Sequence, residues 1–339
     1  MLVSHSVMYE TSYHHQPLSE YSFLVTGAAG FIGSHLVEYL LKYGARKVRG
    51  LDNLLTGNKN NLASFLHHSS FEFVEGSITD FSTCIESCRG IDFVLHQAAL
   101  GSVPRSVANP ADTHLHNVDG FLNMLIAARD TGVKKFVYAS SSSVYGDDPT
   151  LPKKEEKVGN PLSPYAVSKY TNELYARVFY TTYGLPCIGL RYFNIFGPRQ
   201  DPKGQYAAVI PLFTDGILNS KEVFINGSGE QTRDFTFVEN AVQANIKAIF
   251  SGSEANGEVF NIACGENFSV NFLFKSIKEL LNSKVEPIYR APRKGDIQNS
   301  LADISKAKRI LGYTPSFNFH EGLKITVEYF KNVYAAAHS

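Results

Sequence analysis

Neither sign of charge prevails in this 339-residue chain: 32 Lys and Arg stand against 32 Asp and Glu, so net charge gives no pull toward nucleic acid or an anionic membrane. Long apolar runs are also missing, and none approaches the length of a transmembrane helix. The first twenty residues are polar, carry His5, His14 and His15, and lack the apolar stretch of a signal peptide. They are expected to form an N-terminal arm (1–20), flexible or folded as a short helix against the body. Cysteine is scarce: Cys84, Cys88, Cys187 and Cys264 show no metal-ligand spacing, which favours reduced structural thiols, a cytoplasmic setting and no metal site. His14 and His15 read as solvated rather than ligating. Repeats and low-complexity segments are absent, and Lys153-Lys154-Glu155-Glu156-Lys157 reads as a solvated loop. The length allows a large core, in two domains or one with a sizeable extension.

What the chain does have near its start is a strand, a glycine turn and a helix in succession. Phe23-Leu24-Val25-Thr26 is a short apolar strand, followed by Gly27-Ala28-Ala29-Gly30-Phe31-Ile32-Gly33 and an amphipathic run to Tyr43. Ile32, Leu36, Val37, Leu40 and Leu41 fall on one stripe at helical spacing. Glycines let a backbone approach a pyrophosphate, whose charge the helix N-terminus meets. A second strand, Val48–Asp52, ends in an acid about 20 residues after the last glycine, where a carboxylate can hold an adenosine ribose diol. Asp52 would repel a 2′-phosphate, so NAD is expected over NADP.

Tyr165 and Lys169 lie four residues apart in Ser163-Pro164-Tyr165-Ala166-Val167-Ser168-Lys169, about one helical turn. Pro164 suits the first helical position and Ser163 can cap the helix, so both side chains project from one face. An ammonium beside a phenol is expected to lower the tyrosine pKa toward neutrality. Such a tyrosine can take a proton from a sugar or alcohol hydroxyl.

Strand and helix patterns alternate from Tyr21 to about Arg191, with further strands at Phe71–Glu75, Phe93–His96, Phe136–Ala139 and Ile188–Leu190. Helical stretches fall near Val118–Thr131 and Tyr165–Tyr183. This alternation predicts an α/β fold: a Rossmann doubly wound parallel sheet with helices on both faces. Past Gly197 the order loosens into a smaller mixed α/β lobe with helices at Val270–Leu281, Ser305–Leu311 and Glu321–Tyr334. Phe235–Phe250 and Val259–Ala263 read as a return to the sheet. The expected division is 21–191 plus about 235–263 for the cofactor domain, and about 192–234 plus 264–335 for the substrate lobe.

Gly-x-x-Gly-x-x-Gly after a strand, Ser140–Ser143 before Val144-Tyr145-Gly146, and Tyr-x-x-x-Lys together resemble the extended short-chain dehydrogenases. The likeness runs from about Phe23 to Phe330. It includes Arg191-Tyr192-Phe193-Asn194, Arg233-Asp234-Phe235, Arg293-Lys294-Gly295-Asp296 and Leu311-Gly312-Tyr313, which mark the nucleotide-sugar branch. His96-Gln97-Ala98-Ala99-Leu100-Gly101-Ser102-Val103-Pro104-Arg105-Ser106 and Ala207-Ala208-Val209-Ile210-Pro211 resemble the bacterial UDP-N-acetylglucosamine 4-epimerases of polysaccharide biosynthesis. That resemblance implies NAD held tightly and recycled, with Tyr165 as the base on the sugar 4-hydroxyl, Lys169 on the nicotinamide ribose, and Ser141 as the third catalytic hydroxyl. It further implies cofactor contacts from Gly27, Gly30, Phe31, Ile32, Gly33, Asp52, Asn53, Gln97, Ala98, Ala99, Asn117 and Tyr192. Substrate contacts are implied for Gly101, Ser102, Ser142, Ser143 and Asn194, for backbone N–H groups of Ala208 and Val209, and for Phe224 and Asn226 near uracil. Arg233 and Arg293 would clamp the diphosphate, Asp296 would meet the uridine ribose, and Ser300 would wall the sugar pocket beside the 2-substituent. In such enzymes two helices of each subunit pair into a four-helix bundle; here Leu122, Leu125, Leu174 and Phe179 are the expected apolar contributors to a homodimer.

Two departures stand out. Ser77 replaces the acid that often follows the glycine of the third strand, and His114-Leu115-His116 precedes Asn117 where smaller polar residues are usual. A 4,6-dehydratase needs an acid and a base after the catalytic hydroxyl, and Ser142 and Ser143 offer no carboxylate. A UDP-glucose 4-epimerase, or a UDP-glucuronate epimerase or decarboxylase in which Arg105 donates to the substrate carboxylate, is the enzymatic alternative. A non-catalytic NAD-binding protein is the alternative of another class, opposed by the presence of both Tyr165 and Lys169.

Overall fold

The computed structural model describes residues 8–202, 208–292 and 298–338. Its first half alternates strands β1 (Ser22–Thr26), β2 (Lys47–Asp52), β3 (Phe71–Glu75), β4 (Phe93–His96), β5 (Lys135–Ser141) and β6 (Cys187–Tyr192) with helices. Those helices are α1 (Phe31–Lys42), α2 (Phe81–Cys88), α3 (Val103–Ala108), α4 (Pro110–His114), α5 (Gly120–Asp130) and α6 (Pro164–Tyr183). The six strands and a seventh, Val259–Ile262, form one parallel sheet. Its order is Val259–Ile262, β6, β5, β4, β1, β2, β3. The apolar runs read as strands are buried on both faces, as a doubly wound sheet requires: Phe23, Leu24, Val25, Val94, Leu95, Phe136 and Val137 have no significant exposure. The chain winds outward through β2 and β3, then returns past β1 to β4. That reversal opens a crevice at the carboxyl ends of β1 and β4, the usual ligand position in such sheets. Thr26 of β1 lies opposite Leu51 on one side and His96 on the other, so Gly27, Asp52 and Gln97 emerge side by side.

The smaller lobe contains helices Val209–Leu218, Val270–Leu280, Ser305–Leu311 and Phe319–His338. It also holds short ladders that no periodicity reveals, because strands of two to four residues are too brief to show one. Thr232–Arg233 pairs antiparallel with Phe268–Ser269, and Val223–Asn226 pairs parallel with Pro287–Arg290. Of the Phe235–Phe250 stretch, Val238–Ile249 is a helix against the sheet rather than a strand within it.

Two segments differ from the sequence reading. From Met8 onward the N-terminal stretch is no free arm; it is a strap across α1 and the Val238–Ile249 helix that ends in a short 3-10 turn, Leu18–Glu20, with Leu18 buried. Tyr9 and Tyr13 are buried, and Glu239 accepts from the Tyr9 N–H at 2.8 Å and the Tyr13 hydroxyl at 2.7 Å. His14 Nδ1 lies 2.8 Å from the Tyr39 hydroxyl, a packed position rather than a solvated one. The Lys153–Lys157 run is not a solvated loop either. Lys153 and Glu155 are buried on either side of exposed Lys154, Lys153 in a bridge to Ala302 and Glu155 in the turn that follows, accepting the Asn261 N–H at 2.8 Å.

Phe179 of α6 and Leu125 of α5 both pack into the protein's own core rather than onto an exposed helix face. The apolar residues of α6 left exposed are Val167, Leu174, Tyr175, Val178 and Tyr183. Among the described residues no helix is long and apolar enough to cross a membrane, and no three His, Cys, Asp or Glu side chains converge as a metal site. All four cysteines are free thiols.

Candidate functional site

A cavity of about 500 Å³ fills the crevice at the carboxyl edge of the sheet. Its floor is the glycine turn. Gly27 has φ +68°, and a Cβ there would meet the Ala98 N at 2.8 Å. A Cβ on Gly33 would lie 2.0 Å from the Gly27 carbonyl, so α1 approaches the end of β1 only because Gly33 has no side chain. Gly30, the N-cap of α1, leaves the first helical turn without a side-chain cap. Backbone N–H groups and the positive end of a 12-residue helix therefore remain for an anion. At the end of β2, Asp52 accepts from the Ala29 N–H at 2.9 Å and the Leu54 N–H at 2.8 Å. Burial pushes this carboxyl up while those N–H bonds act against the shift. A pyrophosphate cradle with a neighbouring carboxylate fits the dinucleotide expected from the sequence.

The opposite wall comes from β5 and α6. Ser163 caps α6 by accepting the Ala166 N–H at 3.1 Å, and Pro164 stands in the first turn. Tyr165 and Lys169 both border the cavity, as does Ser141 at the end of β5. The expected depression of the phenol by lysine is not found. Burial pushes Tyr165 up, and a hydrogen bond with Ser141 is what acts downward. The Lys169 ammonium donates to the Ala139 carbonyl at 2.8 Å and lies over the Tyr165 ring, 5.9 Å from its centre. Burial lowers Lys169 to about 8, so it remains mostly charged near neutral pH.

Of the sequence-predicted cofactor positions, Gly27, Gly30, Phe31, Ile32, Gly33, Asp52, Asn53, Gln97, Ala98, Ala99, Tyr165, Lys169 and Tyr192 all line this cavity. Asn117 does not. It sits behind the wall, where Oδ1 accepts the Leu100 N–H at 2.7 Å and Nδ2 donates to the Leu100 carbonyl at 3.1 Å. Tyr192 is fixed by Gln97 and Asn245, at 3.1 and 2.7 Å.

Of the expected substrate positions, Gly101, Ser141 and Asn194 border the cavity, whereas Ser102, Ser142 and Ser143 lie just beyond its lining. A second group gathers in the smaller lobe. Asn194 Nδ2 donates to the Asp234 carbonyl at 3.1 Å, and Arg233 donates to the Thr232 carbonyl at 2.8 Å. Ser300, buried, donates its N–H to that same carbonyl at 3.1 Å, which brings it beside Arg233 but not into the cavity lining. Ala208 and Val209 open the Val209–Leu218 helix, again without a side-chain cap. Phe224 and Asn226 bracket a strand end, with the Arg290 guanidinium 3.0 Å from the Phe224 ring centre. Arg293 and Asp296 lie outside the described residues.

The cavity also includes residues that sequence reasoning missed, among them Thr56, Gly57, Ile78, Ser140 and Gln200. Gly57 carries a signal of its own, since a Cβ there would meet the Asp52 carboxylate at 2.8 Å. His116 lines the cavity too, in a π-helical turn, with Nδ1 3.0 Å from the Asp112 carbonyl.

Comparison with known proteins agrees with this architecture. Residues 23–263 match the profile of the NAD dependent epimerase/dehydratase family. The chain is 41% identical over 311 residues to a putative UDP-glucose 4-epimerase of Methanocaldococcus jannaschii, covering 91% of this chain and 98% of that one. The solved UDP-glucose 4-epimerase of Thermotoga maritima with UDP-glucose is 41% identical with a TM-score of 0.87, covering 92% and 99% of the two chains. A UDP-N-acetylglucosamine 4-epimerase of Methanobrevibacter ruminantium in complex with UDP-N-acetylmuramic acid is 40% identical with a TM-score of 0.88, covering 92% and 99%.

Proposed function

We propose that this chain, which belongs to the NAD dependent epimerase/dehydratase family and has UDP-sugar 4-epimerases as relatives, interconverts UDP-N-acetylglucosamine and UDP-N-acetylgalactosamine through a transient 4-keto sugar. The observation that carries this reading is the convergence of Tyr165, Lys169 and Ser141 on the cavity that contains the Gly27–Gly33 turn. NAD, when bound, supplies a reversible hydride acceptor for carbon 4. The Gly27–Gly33 backbone, Asp52 and Tyr192 would hold it.

The remaining work falls on side chains of the chain. Tyr165 accepts the proton of the 4-hydroxyl and returns it to the ketone oxygen. Lys169 keeps a positive charge near the phenolate, and Ser141 holds the sugar oxygen in line with Tyr165. Arg233 and the uncapped N–H groups at Ala208 and Val209 grip the diphosphate, which suits a guanidinium fork and a helix N-terminus. A firmly held diphosphate leaves the sugar free to turn over. In this reading residues 21–191 with 235–263 serve the cofactor, and 192–234 with 264–335 serve the UDP-sugar, in a cytoplasmic enzyme. Assaying the purified protein on UDP-GlcNAc, UDP-glucose and UDP-glucuronate tests the substrate directly; turnover of UDP-glucuronate alone would sink the proposal. The second reading, a UDP-glucose 4-epimerase, has the Thermotoga maritima relative in its favour.

Small size at Ser300 is the residue-level support for the acetylated sugar. A tyrosine there would intrude beside Arg233, and overpacking costs about 1–3 kcal/mol, roughly 5- to 150-fold. Ser300→Tyr is expected to suppress turnover of UDP-GlcNAc and UDP-GalNAc far more than of UDP-glucose and UDP-galactose. The ratio of the two is the readout, because general destabilisation lowers both alike. Equal losses would remove Ser300 from substrate choice.

A homodimer through α5 and α6 is part of the same proposal. The exposed Val167, Leu174 and Val178 stand on one α6 face, at spacings of seven and four residues. Leu174→Glu is expected to shift the protein from dimer to monomer in sedimentation. A wild-type protein that sediments as a monomer at every concentration would end this part of the account.

A further inference from the structure

Behind the Tyr165–Lys169 face lies a buried charged pair with no part in the steps above. Glu173 stands one helical turn beyond Lys169 on α6. Arg191 of β6 donates its Nε–H to Glu173 Oε1 at 2.9 Å and its Nη2–H to Oε2 at 2.7 Å. The two residues are 7% and 2% exposed. Ser140, on β5, donates its hydroxyl to the same Glu173 Oε1 at 2.5 Å. Arg191 also donates to the Glu155 carbonyl at 3.0 Å and lies over the Tyr145 ring at 4.9 Å.

Buried ion pairs are poor devices for stability, because apolar residues of the same volume commonly serve as well. The location of this pair gives it another use. Ala139, Ser140 and Ser141 are the last residues of β5. The Ala139 carbonyl receives the Lys169 ammonium, Ser140 is tied to Glu173, and Ser141 borders the cavity with Tyr165, where its hydroxyl draws the phenol pKa down. One carboxylate therefore anchors the end of the strand to the helix that carries Tyr165 and Lys169.

Charge points the same way. Lys169 is 3% exposed, and burial draws its ammonium toward the neutral form while Glu173 opposes that. The other titratable groups facing it are Tyr165 on its own helix and His96 on β4, which burial lowers to about 3 and so keeps neutral. Arg191 stands beyond Glu173 as its counter-ion.

We propose that Glu173, with Arg191 as its counter-ion, is a positioning residue that keeps Lys169 charged and holds Ser141 in line with Tyr165. The inference rests on Tyr165 and Lys169 being the acid–base pair.

Glu173→Gln keeps the shape of the side chain and removes its charge, leaving the Arg191 cation uncompensated. Both changes disfavour the ammonium of Lys169, so that group loses its proton at lower pH. The alkaline limb of kcat, measured with the UDP-sugar that the wild type epimerises, is expected to move down by about one pH unit or more. KM for the UDP-sugar should stay near the wild-type value. An isolated buried cation can unfold a protein, so Glu173→Gln/Arg191→Gln is measured beside it. The double variant should fold and show a smaller shift in the same direction. An alkaline limb at the wild-type pH in a folded variant would overturn the proposal, whatever the change in Tm. Failure of both variants to fold would make the pair structural and overturn it equally. Tyr165→Phe, assayed in parallel, separates the two levels: if it is inactive while the Glu173 variants keep the wild-type profile, this inference alone falls. If it is active, the acid–base assignment falls first.

Discussion

Tyr165→Phe is expected to lower epimerase turnover by about 100- to 10,000-fold, the range typical of a lost general acid–base group. The substitution removes one oxygen and leaves a ring of nearly the same volume. Helix α6 keeps its Ser163 cap and its Lys169 bond to the Ala139 carbonyl, so the fold has no reason to change. Ser141 is the side chain that draws the phenol pKa down, so its interaction with the hydroxyl is what the variant forfeits at the cavity. Binding of UDP-sugar and of cofactor should therefore remain near wild type, and the loss should appear in kcat. The check is a kcat and KM comparison with circular dichroism on the same samples. Near-normal turnover would show that another group carries the proton.

The second large effect is expected at Gly33. Alanine there would place a methyl carbon 2.0 Å from the Gly27 carbonyl, and the neighbour is backbone, which cannot swing aside. Helix α1 must move away from the end of β1, and its uncapped first turn moves with it. The strain is at or above the top of the roughly 1–3 kcal/mol usual for overpacking, more than about 100-fold in affinity. Wild-type protein purified without added nucleotide is expected to release NAD or NADH on heat denaturation, because the chemistry never requires the cofactor to leave. Gly33→Ala is expected to release less than a tenth as much. Absorbance and NADH fluorescence of the supernatant decide it. Equal occupancy in the two proteins would place the cofactor somewhere other than the Gly27–Gly33 cradle.

The parts of the fold most legible in the sequence are those with long, regular signals. Strands such as Phe23–Thr26 and Phe93–His96 are apolar without a break because both faces of the sheet are covered, and the Ser163-Pro164 start of α6 states its own cap. Short or isolated signals did not carry. Tyr9 and Tyr13 are single aromatics in a polar stretch, and their burial depends on Glu239, more than 200 residues away in sequence. Lys153 and Glu155 look solvated by composition, yet they are buried because Ala302 and Asn261 supply distant backbone and side-chain partners. At the cavity, the glycines and the acid that ends β2 lie where strand-turn-helix geometry requires them. Asn117 has the right position along the chain but spends its amide on Leu100, behind the wall. His116 is the reverse case: its place in a π-helical turn, which brings it to the cavity, has no sequence signature. Residues of the smaller lobe such as Arg233 and Ser300 meet through a single backbone bridge between Thr232 and Asn299, below the length at which any pattern is visible.

The measurement that bears most directly on the account is proton NMR of the purified enzyme with UDP-GlcNAc in deuterium oxide, with no NAD added. Epimerisation by internal return of the carbon-4 hydrogen predicts that UDP-GalNAc accumulates toward equilibrium with its carbon-4 proton fully retained. Absence of UDP-GalNAc, or deuterium at carbon 4 of the product, would contradict it.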